Sequence, residues 1–178
     1  MMVKKNWPGT VRVSMTWKSG GKTIYDEKAH RDFAKMLEDL IRTSFKAQKI
    51  FAEDRDDVSY VDTACTVRLG GPRRIGHTSA MAKVGLKMFE NPLFMFPNEN
   101  MARCAKADGL IDEDATTITF EDILYQPLIL NFEPDAVFVD EASHFLTCGK
   151  MERLRNICSR FAENAKTKGK PFCLVLLA

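Results

Sequence analysis

The sequence lacks any long apolar run. No stretch approaches the roughly 18 apolar residues that a membrane-spanning helix needs, and residues 1–5 are not followed by the apolar core of a secretion signal. It also lacks a strong charge of either sign, because 26 Lys and Arg against 24 Asp and Glu give a net charge of +2. General electrostatic attraction to nucleic acid is therefore excluded, and any such surface has to be local. We expect a cytoplasmic protein without a membrane partner.

The sequence also lacks paired cysteine motifs. Its five cysteines are odd in number and show no C-x-x-C spacing, which disfavours a zinc site and a disulfide framework. Cys65 and Cys173 lie in apolar segments, where cysteine packs as a small hydrophobic residue. No internal repeat or low-complexity segment is present. With 178 residues the chain forms one domain, or one with a small extension, large enough to bury about 70% of its unfolded surface.

Residues 1–57 form a first zone. Apolar and polar residues alternate over 10–17, Gly20 and Gly21 follow, and residues 22–25 return to a strand-like pattern, which predicts a β-hairpin. Over 28–53, apolar residues recur at helical spacing and predict an amphipathic helix. We expect His30, at the start of this helix, to face solvent, and the hairpin and helix to pack on the flank of the remaining chain.

Residues 58–178 alternate short apolar runs with helical patterns. The predicted strands are 64–69, 93–96, 117–120, 136–140 and 172–177, and the predicted helices are 77–90, 98–107 and 149–166. Continuous apolar strands between helices predict an α/β fold with three layers and a mainly parallel sheet. In such folds ligands bind at the carboxyl ends of the strands.

A glycine-rich turn follows the first of these strands, with the sequence Gly71-Pro72-Arg73-Arg74-Ile75-Gly76-His77-Thr78-Ser79. Gly71 and Gly76 have the spacing of the phosphate-binding loop G-x-x-x-x-G-K-[S/T]. Thr78 stands at its hydroxyl position, and His77 stands where the lysine belongs. In this motif, backbone N–H groups surround a polyphosphate, the hydroxyl holds Mg²⁺ and the lysine contacts the β- and γ-phosphates.

A second motif follows the run Ala136-Val137-Phe138-Val139. Asp140 and Glu141 end this run, as in the Walker B arrangement, where the first carboxylate holds Mg²⁺ and the second polarises the attacking water. Each motif has an ordinary explanation, since the glycines suit any strand-to-helix turn and the acids suit the first turn of a helix. Their order, with each at a strand-to-helix junction, favours a joint nucleotide site.

Together the two motifs resemble the additional-strand, catalytic-glutamate division of P-loop NTPases. Within that division, residues 60–178 are most similar to the first motor half of superfamily 1 helicases, including viral ones. Val139-Asp140-Glu141-Ala142 resembles their DEA-type box, and residues 174–178 resemble the strand before their γ-phosphate sensor. The resemblance implies an incomplete core that binds ATP and Mg²⁺, in the host cytoplasm if the chain is viral.

The resemblance also implies roles for individual residues. Asp140 and Glu141 would be catalytic, and Thr78 and Asp140 would hold the metal ion. Asn98 would contact single-stranded nucleic acid, and His144 would contact nucleic acid or the γ-phosphate. The nucleotide would be bound by Gly71, Arg73, Arg74, Gly76, His77, Thr78 and Ser79. A further protein, or a second copy of the chain, is another implied partner.

The histidine in place of lysine leaves two functions open. One is an ATPase directed to nucleic acid, or a helicase-like fragment, with weakened hydrolysis; the other is a hydrolysis-deficient fold that acts through protein contacts. A nucleotide or polynucleotide kinase is a weaker third. A neutral His77 cannot supply a fixed charge, which Arg73 and Arg74 would have to replace. We therefore expect nucleotide affinity in roughly the high-micromolar to millimolar range and slow or absent turnover. If His77 contacts phosphate, binding should improve as the pH falls through about 6.5.

Overall fold

A computed structural model describes residues 13–14, 27–51, 57–71, 76–125, 132–147 and 150–178. The helices are α1 (Glu27–Phe51), α2 (Asp57–Tyr60), a π-helix (Val61–Cys65), α3 (His77–Met88), α4 (Glu99–Ala107), α5 (Asp122–Tyr125), α6 (Ala142–Thr147) and α7 (Met151–Thr167). The strands are β1 (Val13–Ser14), β2 (Thr66–Gly70), β3 (Pro92–Phe96), β4 (Thr117–Thr119), β5 (Ala136–Val139) and β6 (Cys173–Leu177). Apart from Val13 and Ser14, the predicted hairpin lies outside the described residues.

The strands form one six-stranded sheet in the order β1-β2-β6-β5-β3-β4, and every neighbouring pair is parallel. The last strand of the chain, β6, therefore lies between β2 and β5. Because all strands run the same way, the glycine-rich turn after β2 and the acidic pair after β5 emerge at the same edge of the sheet.

Helices cover both faces of this sheet. Alternate side chains, such as Leu69 on β2 and Phe138 on β5, face a core shared with α1, α3 and α4. The intervening side chains, such as Val137 and Leu174, face a second core shared with the π-helix, α5, α6 and α7. The predicted three-layer α/β fold is therefore confirmed.

The longest described helix, α1, carries a buried stripe that starts apolar and ends polar. Phe33, Leu37 and Ile41 are fully buried, and Ser44 and Gln48 continue the stripe at helical spacing. The side-chain amide of Gln48 donates from Nε2 to the carbonyl of Phe172 (2.6 Å), and its Oε1 accepts the Phe172 N–H (3.1 Å). The amide thus satisfies both backbone groups of Phe172, just before β6. No helix in the described ranges has the length and hydropathy needed to cross a bilayer.

The predicted strand 64–69 begins two residues later than expected, because residues 61–65 form a π-helix. The Thr66 hydroxyl donates to the carbonyl of Val61 (2.7 Å), and this bond closes the wide turn where the helix meets β2. Cys65 is buried at the end of the π-helix and not in the strand. A short apolar run after a helix leaves this boundary open in the sequence.

We expect Gly85→Ala to destabilise the fold. A Cβ at Gly85 would lie 2.8 Å from Cε1 of Phe94 and 3.2 Å from Cε2 of Phe138, so α3 packs against the sheet through the missing side chain. Alanine gains about 1 kcal/mol of helix propensity, but the clash with two buried rings outweighs it. Urea unfolding should show a net loss of about 1–2 kcal/mol. The double variant with Phe94→Leu should recover part of it, whereas a more stable Gly85→Ala protein would contradict this packing.

Candidate functional site

The two motifs of the sequence meet at the carboxyl edge of the sheet. The N–H of Gly71, just after β2, donates to the carbonyl of Ala178 (2.9 Å), which ties the start of the turn to the end of β6. On the other side of β6, the Asp140 N–H donates to the carbonyl of Met95 (3.0 Å) and extends the ladder between β5 and β3. Both motifs are therefore fixed to the sheet.

Helix α3 begins directly after Gly76, and no side chain caps its first N–H groups in the described part of the chain. Gly76 precedes the helix with φ +84°, a left-handed conformation that favours glycine. The first intrahelical bond runs from the Ala80 N–H to the Gly76 carbonyl (2.8 Å). No side-chain cap to Gly76 and no acidic residue in the first turn is present in the described part of α3. The N–H groups before Ala80 therefore remain free of helix bonds, and with the helix dipole they favour an anion.

Thr78 and Asp140 are in direct contact. The Thr78 hydroxyl donates to Oδ2 of Asp140 across 2.6 Å, although the two residues are 62 positions apart in the chain. A hydroxyl and a carboxylate that meet in this way are the two oxygen ligands that a bound Mg²⁺ needs next to a phosphate. The structure brings together the two predicted metal ligands.

Asp140 is a buried acid, with only 2% of its surface exposed. Burial raises the pKa of its carboxyl, and hydrogen bonds from the Thr78 hydroxyl and the Glu141 N–H partly oppose this shift. The ionised carboxylate is therefore costly to the unliganded fold. A cation at this position would remove the cost, which is the expected property of a metal ligand.

Glu141 has an unusual backbone. Its φ is +51°, the one positive value for a non-glycine residue among the described residues. Its N–H donates to Oδ1 of Asp140 (3.1 Å), and its side chain is partly exposed. Backbone strain of this kind costs on the order of 1 kcal/mol and occurs preferentially at functional sites.

His77, at the position of the lysine, packs against α1. Its ring centroid lies 4.9 Å from that of Phe33 with the planes 36° apart. Its Nε2 is buried and has no hydrogen-bond partner among the described residues. Burial lowers the pKa of His77, while the nearby carboxylates of Asp140 and Glu141 raise it in part. The ring is therefore a neutral group with an unsatisfied nitrogen, and not the fixed cation of the motif.

His30 is not solvent-facing, and that prediction was wrong. It is 9% exposed, and its Cδ2 lies 2.6 Å from the position that a Cβ on Gly76 would take. The helical pattern placed His30 on the first turn of α1 but carried no information on what that turn contacts. His30 and Phe33 are thus neighbours of the site that the motifs did not reveal.

Of the remaining predicted phosphate ligands, the structure describes Gly71 and Ser79 but not the two arginines. Ser79 lies in the first turn of α3 and is partly exposed, and its predicted contact with nucleotide stays a prediction. Gly71 is described, but its N–H is already used by Ala178. Arg73 and Arg74 lie outside the described residues, so their predicted role stays a prediction.

Comparison with known proteins finds no relative. No family model, curated protein or solved structure matches this chain.

The geometry of the site fits a hard cation better than a transition metal. Within the described residues, no three side chains of His, Cys, Asp or Glu converge to hold a metal ion by themselves. Thr78 and Asp140 supply two oxygen ligands, and Mg²⁺ commonly completes its shell with water and phosphate oxygens. The residues present therefore fit a metal ion that arrives with a phosphate-bearing ligand.

Asn98 is engaged in its own helix. Its Oδ1 accepts the N–H of Met101 (3.0 Å) and caps α4. It lines a polar cleft of about 820 Å³ with Glu99, Glu121 and Asp122, and no Lys, Arg or His is among the described residues that line it. Three carboxylates next to Asn98 make this cleft unfavourable for a phosphate backbone.

His144 lies on the short helix α6 and is exposed. Its ring stacks on that of Phe120, with the centroids 6.2 Å apart. Its backbone N–H donates to the carbonyl of Glu141 (2.9 Å). This position is at the edge that carries the acidic pair. A contact between His144 and nucleic acid stays a prediction.

The buried His30 leads to a prediction about pH. Burial lowers its pKa, and the positive charge of Lys83 adds to the shift. The unfolded chain therefore binds a proton more readily, so the stability that His30 contributes is complete above about pH 6.5 and is lost as the pH falls below it. In thermal unfolding between pH 7 and 5, His30→Gln should lose less stability than wild type. The exposed His144→Gln should follow wild type, and a His30→Gln curve parallel to wild type would contradict the prediction.

Proposed function

We propose that this chain binds a nucleoside triphosphate with Mg²⁺ at the carboxyl edge of β2 and β5, and that it hydrolyses the nucleotide slowly. The observation that carries the proposal is the 2.6 Å hydrogen bond between Thr78 and Asp140. It joins the hydroxyl of one predicted motif to the carboxylate of the other. An ordinary turn and an ordinary acidic helix start would have no reason to meet in this way.

The strand order also supports the proposal. β6 is inserted between β2 and β5, so one additional strand separates the glycine turn from the acidic pair. This order is the feature for which the additional-strand division of P-loop NTPases is named. The proposal therefore rests on a side-chain contact and on the strand order that allows it.

Each residue then has a role in the proposed reaction. Free N–H groups at the start of α3 would bind the phosphates, and Thr78 and Asp140 would hold the metal ion, which screens their negative charge. Glu141 would orient the attacking water and accept its proton. His77 would offer a hydrogen bond from a neutral ring, so the transition state would gain less stabilisation than from lysine.

One observation favours a second candidate, a nucleotide-binding module without hydrolysis. The ring of His77 is held against Phe33, and its lowered pKa keeps it uncharged near pH 7. If no other cation compensates, the fold would bind nucleotide and act through protein contacts. A role directed to nucleic acid finds less support, because the cleft beside Asn98 is acidic.

Calorimetric titration of ATP and ADP, with and without Mg²⁺, tests the proposal. We expect binding in roughly the high-micromolar to millimolar range with Mg²⁺, and weaker binding in EDTA. Thr78→Ala should reduce the Mg²⁺ effect, and Ser143→Ala, an exposed hydroxyl after the acidic pair, should not. Absence of binding at millimolar nucleotide would contradict both candidates.

A turnover assay separates the two candidates. Hydrolysis by the wild type at rates on the order of 1 s⁻¹ would contradict the second candidate, because another group must then replace the lysine. Undetectable hydrolysis in wild type, together with activity gained in His77→Lys, would favour it. The assay should include Glu99→Gln as a control for loss of an exposed carboxylate.

A further inference from the structure

The amino-terminal third of α1 lies directly on the phosphate site. Phe33 is fully buried, and its ring packs against that of His77 with the centroids 4.9 Å apart and the planes tilted by 36°. One turn earlier, His30 fills the space over Gly76, with Cδ2 at 2.6 Å from the position of a Cβ there. Gly76 and His77, the residue in the lysine position, are thus both covered by a helix outside the motif.

The carboxyl-terminal part of α1 is fixed at the amino ends of β2 and β6, opposite the phosphate site. Gln48 forms two hydrogen bonds with the backbone of Phe172, of 2.6 and 3.1 Å, and the Ser44 hydroxyl donates to the carbonyl of Ala64 (2.6 Å). These bonds join α1 to the segments that enter β2 and β6. Because a packed helix is stiff along its axis, these bonds also fix the positions of Phe33 and His30 relative to the sheet.

We propose that Phe33 and His30 are positioning residues of the phosphate site. They hold the His77 ring and the Gly76 turn in the arrangement that binds a nucleotide, and this inference rests on the proposed function. A neutral imidazole has one donor nitrogen and one acceptor nitrogen, so its use to a phosphate depends on the ring orientation. The buried Nε2 of His77, unpartnered in the described part of the chain, is the atom whose orientation Phe33 fixes.

The test compares two positions on one buried stripe. Phe33→Leu keeps an apolar side chain but removes the ring that contacts His77, and Leu37→Ala removes packing one turn further along α1. Titrated with Mg²⁺–ATP under conditions where both variants are folded, Phe33→Leu should bind about tenfold more weakly than wild type, since losing one hydrogen bond to a charged group weakens binding by about this factor. Leu37→Ala should bind like wild type despite its lower stability. His30→Ala should weaken binding in the same direction as Phe33→Leu.

A spectroscopic readout separates positioning from loss of stability. The ¹H–¹⁵N signals of the His77 ring, assigned with His77→Gln, should change on adding Mg²⁺–ATP in wild type and in Leu37→Ala. In Phe33→Leu the chemical shifts of these signals should differ from wild type before nucleotide is added, and they should change less on its addition. If Phe33→Leu is unfolded, Phe33→Met takes its place.

Each other outcome overturns the inference. Equal affinity of Phe33→Leu and wild type for Mg²⁺–ATP would contradict the positioning role but not the proposed function. Equal weakening of binding in Phe33→Leu and Leu37→Ala would do the same. Absence of Mg²⁺–ATP binding in wild type contradicts the proposed function itself, and the positioning role falls with it.

Discussion

An Asp140→Asn variant is expected to lose Mg²⁺-dependent nucleotide binding and the pH-dependent stability penalty of the buried carboxylate. Asparagine has one acceptor oxygen, so it keeps the bond from either the Thr78 hydroxyl or the Glu141 N–H, and it loses the charge that would hold the metal ion. Losing a charged contact of this kind costs about 1.5–3 kcal/mol, or roughly tenfold to hundredfold in affinity. Calorimetry with and without Mg²⁺ should show the metal effect disappear.

The effect on stability follows from the direction of the pKa shift. Burial raises the pKa of Asp140 above its value in the unfolded chain, so the ionised carboxylate destabilises the fold at neutral pH. This penalty is fully present above the folded-state pKa and is lost as the pH falls through it. The melting temperature of Asp140→Asn minus that of wild type should therefore be larger at pH 7 to 8 than in acid.

Asp135→Asn is the matched control for this variant. The Asp135 carboxylate accepts the N–H groups of Glu90 (2.8 Å) and Asn91 (3.1 Å), and the residue lies just before β5, away from the site. Losing one of these acceptors should lower the melting temperature and leave nucleotide binding unchanged. Unaltered Mg²⁺-dependent binding in Asp140→Asn would remove Asp140 from the site.

A Glu141→Gln variant is expected to lose turnover and keep binding. A general base contributes about 10²–10⁴-fold to rate, and the amide of glutamine cannot accept the proton from water. Binding of Mg²⁺–ATP should be unchanged or tighter, because one negative charge near the phosphates is removed. Steady-state phosphate release, measured beside calorimetric affinity, separates the two effects.

The control for Glu141→Gln is Glu99→Gln on α4. Glu99 is an exposed carboxylate at the same edge of the sheet, so it tests whether charge removal alone changes the rate. Both activity and affinity should match wild type in that control. Equal turnover in Glu141→Gln and wild type would show that another group activates the water.

The local elements of the site were predictable because their signals are local. Four apolar residues from Ala136 to Val139 followed by two acids predict a buried strand with an acidic end, and β5 (Ala136–Val139) ends one residue before the predicted 136–140. The start of α3 at His77 follows from the glycine before it and the helical pattern after it. Parallel strands bring both motifs to the carboxyl edge of the sheet, but the contact between Thr78 and Asp140 also depends on the separation of β2 and β5, which no local pattern gives.

The contacts of α1 were not predictable, because they join segments far apart in the chain. Helical periodicity predicted the buried stripe that contains Phe33 but not its contact with His77, and it gave no sign that His30 would be buried. The insertion of β6 between β2 and β5 was likewise absent from any local pattern. In the sequence, Ser44 and Gln48 are ordinary polar helix residues, and their place on the buried stripe becomes clear only from their bonds to Ala64 and Phe172.

Backbone amide NMR during a titration with Mg²⁺–ATP tests the central claim most directly. The account predicts concentration-dependent shifts at residues 76–79 and at Asp140 and Glu141, saturating in roughly the high-micromolar to millimolar range. Titration with ATP in EDTA should leave Asp140 and Glu141 nearly unchanged, since the metal ion connects them to the phosphates. Shifts confined to other parts of the sheet, or none at about 10 mM nucleotide, would contradict a nucleotide site at this edge.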